Sequence, residues 1–478
     1  MNKPFFISTA IPYVNDKPHV GHALEYVQAD CIARYHRMLG KNVFFLSGTD
    51  DNALKNVLKA EEAGKDVRAY IDEHADMFKR LLSTLSISVD DFIRTSADER
   101  HRRGAQKLWS SFKPEDIYKK EYRGLYCVGC EEFKTGKDLV NGECPEHPEK
   151  KLEEVSEENY FFALSNYQKP LEQLIEWNKL AIIPESRKNE ILAFIREGLT
   201  DISISRSHAR ARDWGIPVPG DENQVMYVWV DALSNYINAL GYADHSDAYA
   251  AFWEGEGERV HAIGKGITRF HAIYWPAFLL SAGLSVSTRL FVHGYVTSGG
   301  QKMSKTIGNV IDPQMIIDEY GADALRYFLA REVSTFEDGD FTTERFKEAY
   351  NASLVNGLGN LVARVMKLAE THLDPGVRSD SSLLPPEYTH AFESYNINAA
   401  AHYVWTRIQA LDKKITDTKP FSVVKEDPEQ GKRLIHEAVI ELYAIARLLR
   451  PFLPQTSQKI QTAVVENKMP VSLFPRKE

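Results

Sequence analysis

The stretch that decides the fold is Lys3-Pro4-Phe5-Phe6-Ile7-Ser8-Thr9-Ala10-Ile11-Pro12-Tyr13-Val14-Asn15-Asp16-Lys17-Pro18-His19-Val20-Gly21-His22. Lys3–Thr9 has the apolar run of a buried strand, and Pro12–Pro18 is rich in turn formers. Val20, Ala23, Leu24, Val27, Cys31 and Tyr35 then recur at three- and four-residue spacing until Gly40, which predicts a helix. Lys41–Gly48 reads as a second apolar strand, followed by Asp50-Asp51. Strand, helix and strand with short connections predict a parallel βαβ unit. In such sheets ligands bind beyond the carboxyl ends of the strands, so Ile11–His22 and Gly48–Asn52 fall at one prospective site.

Outward from this unit, the texture changes near residue 115. From 115 to 225 the chain is rich in Glu, Lys, Gly and turn residues and holds three of the four cysteines. After Pro217-Val218-Pro219-Gly220 the alternation returns, with strands predicted at Val225–Val230, Arg259–Gly264 and Leu290–Tyr295 and helices at Asp231–Leu240 and Phe270–Leu280. No strand pattern is visible beyond Tyr320. Residues 351–369, 396–416, 432–450 and 454–467 carry apolar residues at helical spacing, and Ser379–Pro386 reads as a loop. The expected fold class is α/β: a Rossmann-type parallel-sheet domain in two halves, 1–114 and 226–320, interrupted by a metal-binding insertion at 115–225. A linking segment, 321–350, leads to an all-α helical bundle at 351–478.

The 478 residues, 43% hydrophobic and 26% charged, suit about three globular domains and exclude a disordered or fibrous chain. No apolar run approaches the roughly 18–20 residues of a membrane span, and the N-terminus lacks a secretory pattern, so no membrane partner is expected. Four cysteines do not make a disulfide framework, which points to a reducing compartment and a cytoplasmic location. The net charge is −9. Residues 401–478 hold 13 Lys/Arg against 9 Asp/Glu, leaving 45 basic and 58 acidic residues before them. A mildly basic tail on an acidic body is compatible with docking a polyanion at one end, and equally with two solvated surfaces.

Three local patterns carry chemistry. Cys127-x2-Cys130 and Cys144-x2-His147, thirteen residues apart, are two pairs of soft ligands on turns, the spacing of a tetrahedral zinc site. Four protein ligands leave no open position, so one structural Zn²⁺ per chain is expected; His147 is the least specific of the four. Cys31, on the apolar face of the first helix, reads as core. His19 and His22 flank Gly21 at a helix start, where the dipole favours anions and the glycine admits a flat ring. Alone, that pair also fits a zinc pair or surface histidines. Gly299-Gly300-Gln301-Lys302-Met303-Ser304-Lys305-Thr306 presents two lysines on a Gly-led loop, suited to charge building on a departing pyrophosphate. Together the two motifs point to nucleotide chemistry.

At these residues the chain resembles the class I aminoacyl-tRNA synthetases, with His19-Val20-Gly21-His22 and Lys302–Thr306 as their two signatures. Within that class it is similar to the methionyl-tRNA synthetase family from end to end. Ala10–Asn15, Leu125-Tyr126-Cys127, Asp201–Arg206, Trp214–Pro217, Tyr227–Leu233, Phe291–Tyr295 and Gly321–Tyr327 carry the match. The resemblance implies activation of L-methionine with ATP and Mg²⁺ to methionyl-adenylate, releasing pyrophosphate. Transfer to the 3′ end of methionine tRNA would follow, for initiation and elongation of translation. It implies ATP contacts from His19, Gly21, His22, Lys302 and Lys305, with the histidines and lysines catalytic. Asp50 would hold the substrate ammonium with help from the Ile11 backbone, and Tyr13, Trp229, Ala232, Leu233, Tyr236 and His271 would surround a polarizable thioether. Trp229 and Tyr236, seven apart, would otherwise read as core. Asn360 and Arg364 would read the anticodon, with Phe421 stacking on a base. The insertion is too small for the hydrolytic editing domain of the isoleucine, valine and leucine enzymes.

The chain departs from the family's pattern at four places. Asn52 and Ala53 stand where a His-Gly pair is usual, so a contact made by that histidine is absent. Gly266 replaces an acidic residue that helps hold the ATP ribose. Phe421 stands in a Trp position and keeps stacking, and Thr306 replaces a Ser and keeps the hydroxyl. A catalytically silent tRNA-binding paralogue is the alternative these changes motivate, and activation of another amino acid is a second. The chain stops soon after the bundle, without the appended domain through which some relatives dimerise, so a monomer is expected.

Overall fold

The computed structural model describes residues 3–130, 132–134, 136–303, 308–374 and 383–477. They form two compact units: Met1–Pro18, Gly40–Arg80 and Val89–Val292 make one, and His19–Leu39, Leu81–Ser88 and His293–Glu478 the other.

The first unit is built on a six-stranded sheet. Its strands are β1 (Phe5–Thr9), β2 (Val43–Thr49), β3 (Asp91–Arg94), β4 (Ala181–Ile183), β5 (Glu258–Gly264) and β6 (Arg289–His293), in the order β3-β2-β1-β5-β6-β4. β1 runs parallel to β2 and β5, β2 to β3, and β6 to β4. All five residues of β1 are buried, as expected of a central strand covered on both faces. The edge strand β4 comes from within residues 115–225. That segment also holds an antiparallel meander, in which Ile117–Cys127 pairs with Glu153–Phe162 over ten registers, and the helices Gln168–Glu176 and Glu185–Arg196.

One predicted strand is displaced. The extended residues are Asp221–Met226, turned back on Pro217–Val218 through Gly220, whose φ of 79° suits a glycine in the left-handed region. The apolar run Val228-Trp229-Val230 begins a helix, Val228–Asn238, every residue of which is buried. A helix buried on all sides has no apolar stripe, so its sequence reads like a strand.

In the second unit, α1 (Val20–Met38) and the helices Asn360–His372, Pro386–Glu393, Ile397–Thr418, Pro420–Glu426, Pro428–Leu449 and Pro454–Glu466 dominate. A two-residue strand, Gly339–Asp340, pairs parallel with Val296–Ser298, which corrects the expectation of no strand beyond Tyr320. Two residues are too few to leave a pattern. Of the predicted loop Ser379–Pro386, residues 379–382 lie outside the described residues.

Arg326 ties this unit together. Its side chain is fully buried; Nε donates to Phe452 O (2.8 Å), and its terminal nitrogens donate to Leu85 O (3.1 Å) and Pro451 O (2.6 Å). It is also paired at 2.7 Å with buried Asp30 of α1, which accepts from Arg34 and from the Ser88 amide as well. Cys31, the expected core residue, is buried beside them, its thiol pushed up to about 12 mainly by burial. Arg326→Met leaves the Asp30 charge underpaired and three carbonyls without donors. A loss of about 3 kcal/mol in unfolding free energy is expected, read from urea titrations of this unit.

In the first unit, His261 of β5 is fully buried, with Nδ1 at 2.7 Å from Ser8 Oγ and Nε2 at 2.7 Å from Ser287 Oγ. Burial holds its pKa well below the ordinary 6.5, with the nearby His271 acting in the same direction. Protonation therefore favours the unfolded chain. The contribution is complete above pH ~6.5 and is lost as the pH falls from there toward the folded pKa. The denaturation midpoint of this unit is expected to drop between pH 7.5 and 5, and His261→Phe to flatten that slope by about one proton.

Candidate functional site

The site begins where β1 and β2 end. Tyr13 and Asp50 form an isolated parallel bridge just past these strands, and Asp50 N donates to Pro12 O at 2.9 Å. Asp50 is 2% exposed; its carboxylate accepts from Asn52 N (3.2 Å) and its carbonyl from the Asn56 side chain (2.9 Å). Gly48 lacks a Cβ that would collide with Ile93 O and come within 3.1 Å of the Ile11 side chain, so the loop after β1 lies close over β2.

Helix Val228–Asn238 supplies Trp229, Ala232, Leu233 and Tyr236. Trp229 meets Tyr13 edge-on at 6.4 Å between centroids and stacks on Phe270 at 3.6 Å. Tyr236 Oη lies 2.7 Å from His271 Nε2, while His271 Nδ1 is 3.0 Å from Ile267 O. A carbonyl can only accept, so Nδ1 carries the proton, Nε2 is the acceptor, and the tyrosine hydroxyl donates to it. Burial lowers His271 to about 4, so it stays neutral at working pH. Tyr13, Trp229 and Phe270 thus form an aromatic wall, Tyr236 and His271 make an oriented hydrogen-bonded pair on the same two helical elements, and the backbone bridge sets buried Asp50 beside Tyr13.

Behind this wall lies a network that sequence reading did not assign. Asp231, 1% exposed, faces His101 Nε2 at 2.5 Å and accepts from Asn52 Nδ2 at 2.7 Å. Asn52 Nδ2 also reaches Thr95 O at 3.2 Å, so the residue in place of the usual histidine spans two neighbours. His101 is carried by helix Glu99–Ser111, where a Cβ on Gly104 would collide with the Asn238 amide. An Asp inside an all-buried helix is the one signal that could have flagged Asp231, because such a charge needs partners. His101, 130 positions away, offered none.

In the second unit, His19 caps α1. Its Nδ1 accepts from Gly21 N at 3.0 Å, and His22 Nδ1 accepts from His19 N at 3.1 Å. Both rings therefore present Nε2–H as their donor in the neutral form, 4.0 Å apart between centroids. Burial, reinforced by His19, holds His22 well below 6.5. A Cβ on Gly21 would fall 2.8 Å from the His19 ring. With no acidic residue in its first turn, this helix end keeps its positive potential.

The Gly-led loop is a hairpin: Val296–Ser298 pairs with Gln301–Lys302 across Gly299 and Gly300, both at positive φ (62° and 73°). Asp340 Oδ1 fastens the turn, accepting from Gly300 N and Thr297 Oγ1 at 2.8 Å each. Lys302 is described as backbone in this hairpin. Lys305 and Thr306 lie outside the described residues.

Cys127, Cys130, Cys144 and His147 converge, with one ligand atom from each within 4.8 Å of the others. Cys130 Sγ lies 3.5 Å from Cys144 Sγ and 3.4 Å from His147 Nδ1. Ligand bonds of about 2.0–2.3 Å in a tetrahedron give edges of this size, so the donor set fits a metal ion such as zinc. Gly129 makes the turn possible, since a Cβ there would meet the His147 ring at 2.5 Å.

In the bundle, Arg364 and Phe421 line one cavity of about 550 Å³ with Lys367, Ile415 and Met469. Arg364 is paired with Asp412 at 2.6 Å. Asn360 lies one turn before Arg364, at the exposed start of the same helix, and is not among the residues lining that cavity. Gly266 is exposed in the short turn Lys265–Ile267 after β5.

The chain is similar to known proteins over most of its length. The family model described as tRNA synthetases class I (M) matches residues 5–155 and 148–366. A methionine–tRNA ligase of Brucella suis is 40% identical over 95% of this chain and 90% of its own length. One from Caldanaerobacter subterraneus is 39% identical over 96% of this chain and 74% of its own. The solved structure of Mycobacterium tuberculosis methionyl-tRNA synthetase in complex with methionyl-adenylate superposes with a TM-score of 0.88 at 34% identity, over 100% of this chain and 99% of that one. The chain belongs to the methionine–tRNA ligases, the methionyl-tRNA synthetases of class I, and is an aminoacyl-tRNA ligase.

Proposed function

We propose that the protein joins L-methionine to its tRNA in two steps. The methionine carboxylate attacks the α-phosphorus of ATP, pyrophosphate leaves, and a ribose hydroxyl of the tRNA's terminal adenosine then attacks the acyl carbon to release AMP. The observation that supports this reading is the bridge that sets buried Asp50 beside Tyr13, whose ring meets Trp229 on the helix that also carries Tyr236 and its partner His271. The carboxylate matches an α-ammonium. The aromatic faces match a thioether, which gains from polarizable contact without needing a hydrogen-bond donor. Because His271 is neutral and its Nε2 is occupied by Tyr236, this imidazole brings no full charge to the substrate side chain.

In this reading His19 and His22 donate their Nε2–H groups to the phosphates of Mg²⁺-bound ATP, and the missing Gly21 side chain lets the nucleotide approach the helix end. Lys302 and Lys305 follow the charge that builds on pyrophosphate. Catalysis here is positioning and charge stabilisation, and no residue is asked to form a covalent intermediate. The exposed turn at Gly266 brings no carboxylate to the ribose, so nucleotide affinity rests on the phosphate contacts. Cys127, Cys130, Cys144 and His147 would hold one Zn²⁺, which fastens a segment that has little core of its own. Arg364 and Phe421, with Asn360, would read unstacked anticodon bases, and the enzyme would act as a cytoplasmic monomer.

ATP–pyrophosphate exchange with each of the twenty amino acids tests the reading. Exchange is expected with methionine, and its absence with methionine would overturn the proposal. Trp229→Ala is expected to lower kcat/KM for methionine by about 100-fold, through loss of about 3 kcal/mol of ring contact. Undiminished methionine activation would place the pocket elsewhere. Metal analysis by plasma mass spectrometry is expected to find about one zinc per chain, and Cys144→Ser to lose most of it. A folded protein free of metal would contradict the assignment.

A further inference from the structure

Lys55 is the second residue of helix α2 (Leu54–Glu62). A cation there opposes the helix dipole, and the first turn holds no acidic residue to offset it. Ala53 provides no side-chain cap at the same helix end. Local electrostatics therefore disfavour a lysine at this position, which directs attention to what its ammonium touches. Nζ lies over the Tyr13 ring, 3.4 Å from the centroid, and donates to Gly129 O at 3.3 Å. Gly129 is one of the two residues between Cys127 and Cys130, and the His147 ring packs against it.

Tyr13 lies in an irregular loop. Its backbone is fixed through the bridge to Asp50, and its ring meets Trp229 edge-on. An ammonium on the ring face supplies restraint in a second direction, because the quadrupole of the ring attracts a cation placed over it. The carbonyl of Gly129 holds that ammonium in turn.

We infer that Lys55 is a positioning residue for Tyr13, joining the cysteine turn of the insertion to the amino-acid side of the site. This rests on the assignment of Tyr13 to the methionine pocket. Lys55 acts on methionine through the ring beneath it.

Lys55→Met keeps the length of the side chain and removes the cation, and Lys55→Arg keeps the cation. In ATP–pyrophosphate exchange at saturating ATP, Lys55→Met is expected to raise KM for methionine by about tenfold with kcat changed by less than about twofold. Lys55→Arg is expected to stay within about threefold of the wild-type KM. Thermal melting of both variants is recorded beside the kinetics, so that a loss of folding is not read as a loss of positioning. The inference is overturned if Lys55→Met keeps the wild-type KM, or if Lys55→Arg is as impaired as Lys55→Met. It is also overturned if exchange is intact while only tRNA charging falls, since Lys55 would then serve the RNA. A wild-type protein without methionine-dependent exchange would instead defeat the pocket assignment, which separates the two failures.

Discussion

Everything proposed for the amino-acid side of this protein depends on the parallel pairing of β1 with β2. That register brings the chain past Thr9 and the chain past Thr49 out of the sheet side by side, so that Tyr13 and Asp50 bridge immediately beyond it. Two residues 37 positions apart thereby become neighbours without either needing a contact of its own to find the other. A slip of one residue would turn every side chain of β1 to the opposite face and separate an aromatic ring from the carboxylate that completes it. The glycine at position 48 allows the two loops to lie close once the register is set.

A buried charge needs partners, and the molecule supplies them repeatedly. Asp50 is held by its own loop, Asp231 by Asn52 and His101, and Asp30 by Arg326, Arg34 and Ser88. Two of these carboxylates lie in the first unit beside the candidate pocket, and the third is in the second unit on the helix that carries His22. The histidines follow the reverse rule: buried His261 and His271 and half-buried His22 are held neutral, so they orient groups and donate or accept single hydrogen bonds without adding charge.

Local chemistry was legible in the sequence, and long-range chemistry was not. His19, Gly21 and His22 lie within one turn at the helix start that the apolar spacing predicts, while the capping they make there is seen only in the structure. The four metal-binding candidates were visible because each pair sits on its own turn. The parallel sheet could be read from apolar runs, but the helix beginning at Val228 could not, because burial on every side removes the periodicity that identifies a helix. Trp229 and Tyr236 looked like core by spacing and stood out only through family resemblance. The pairing of Asp231 with His101 spans 130 positions, and that of Lys55 with Gly129 spans 74; neither leaves a local trace. Asn52 stands where a histidine is usual in the family, and the hydrogen bonds of its amide to Asp231 and Thr95 left no local trace either.

Recognition of the methionine ammonium by the buried Asp50 carboxylate is the contact on which the proposed function turns. Calorimetric titration of L-methionine into the protein without ATP tests it most directly, comparing the wild type with the isosteric Asp50→Asn. The account predicts one site per chain in the wild type and binding weakened by about 30-fold or more in the variant, the cost of losing a charged partner for the ammonium. Equal affinity in the two proteins would contradict it.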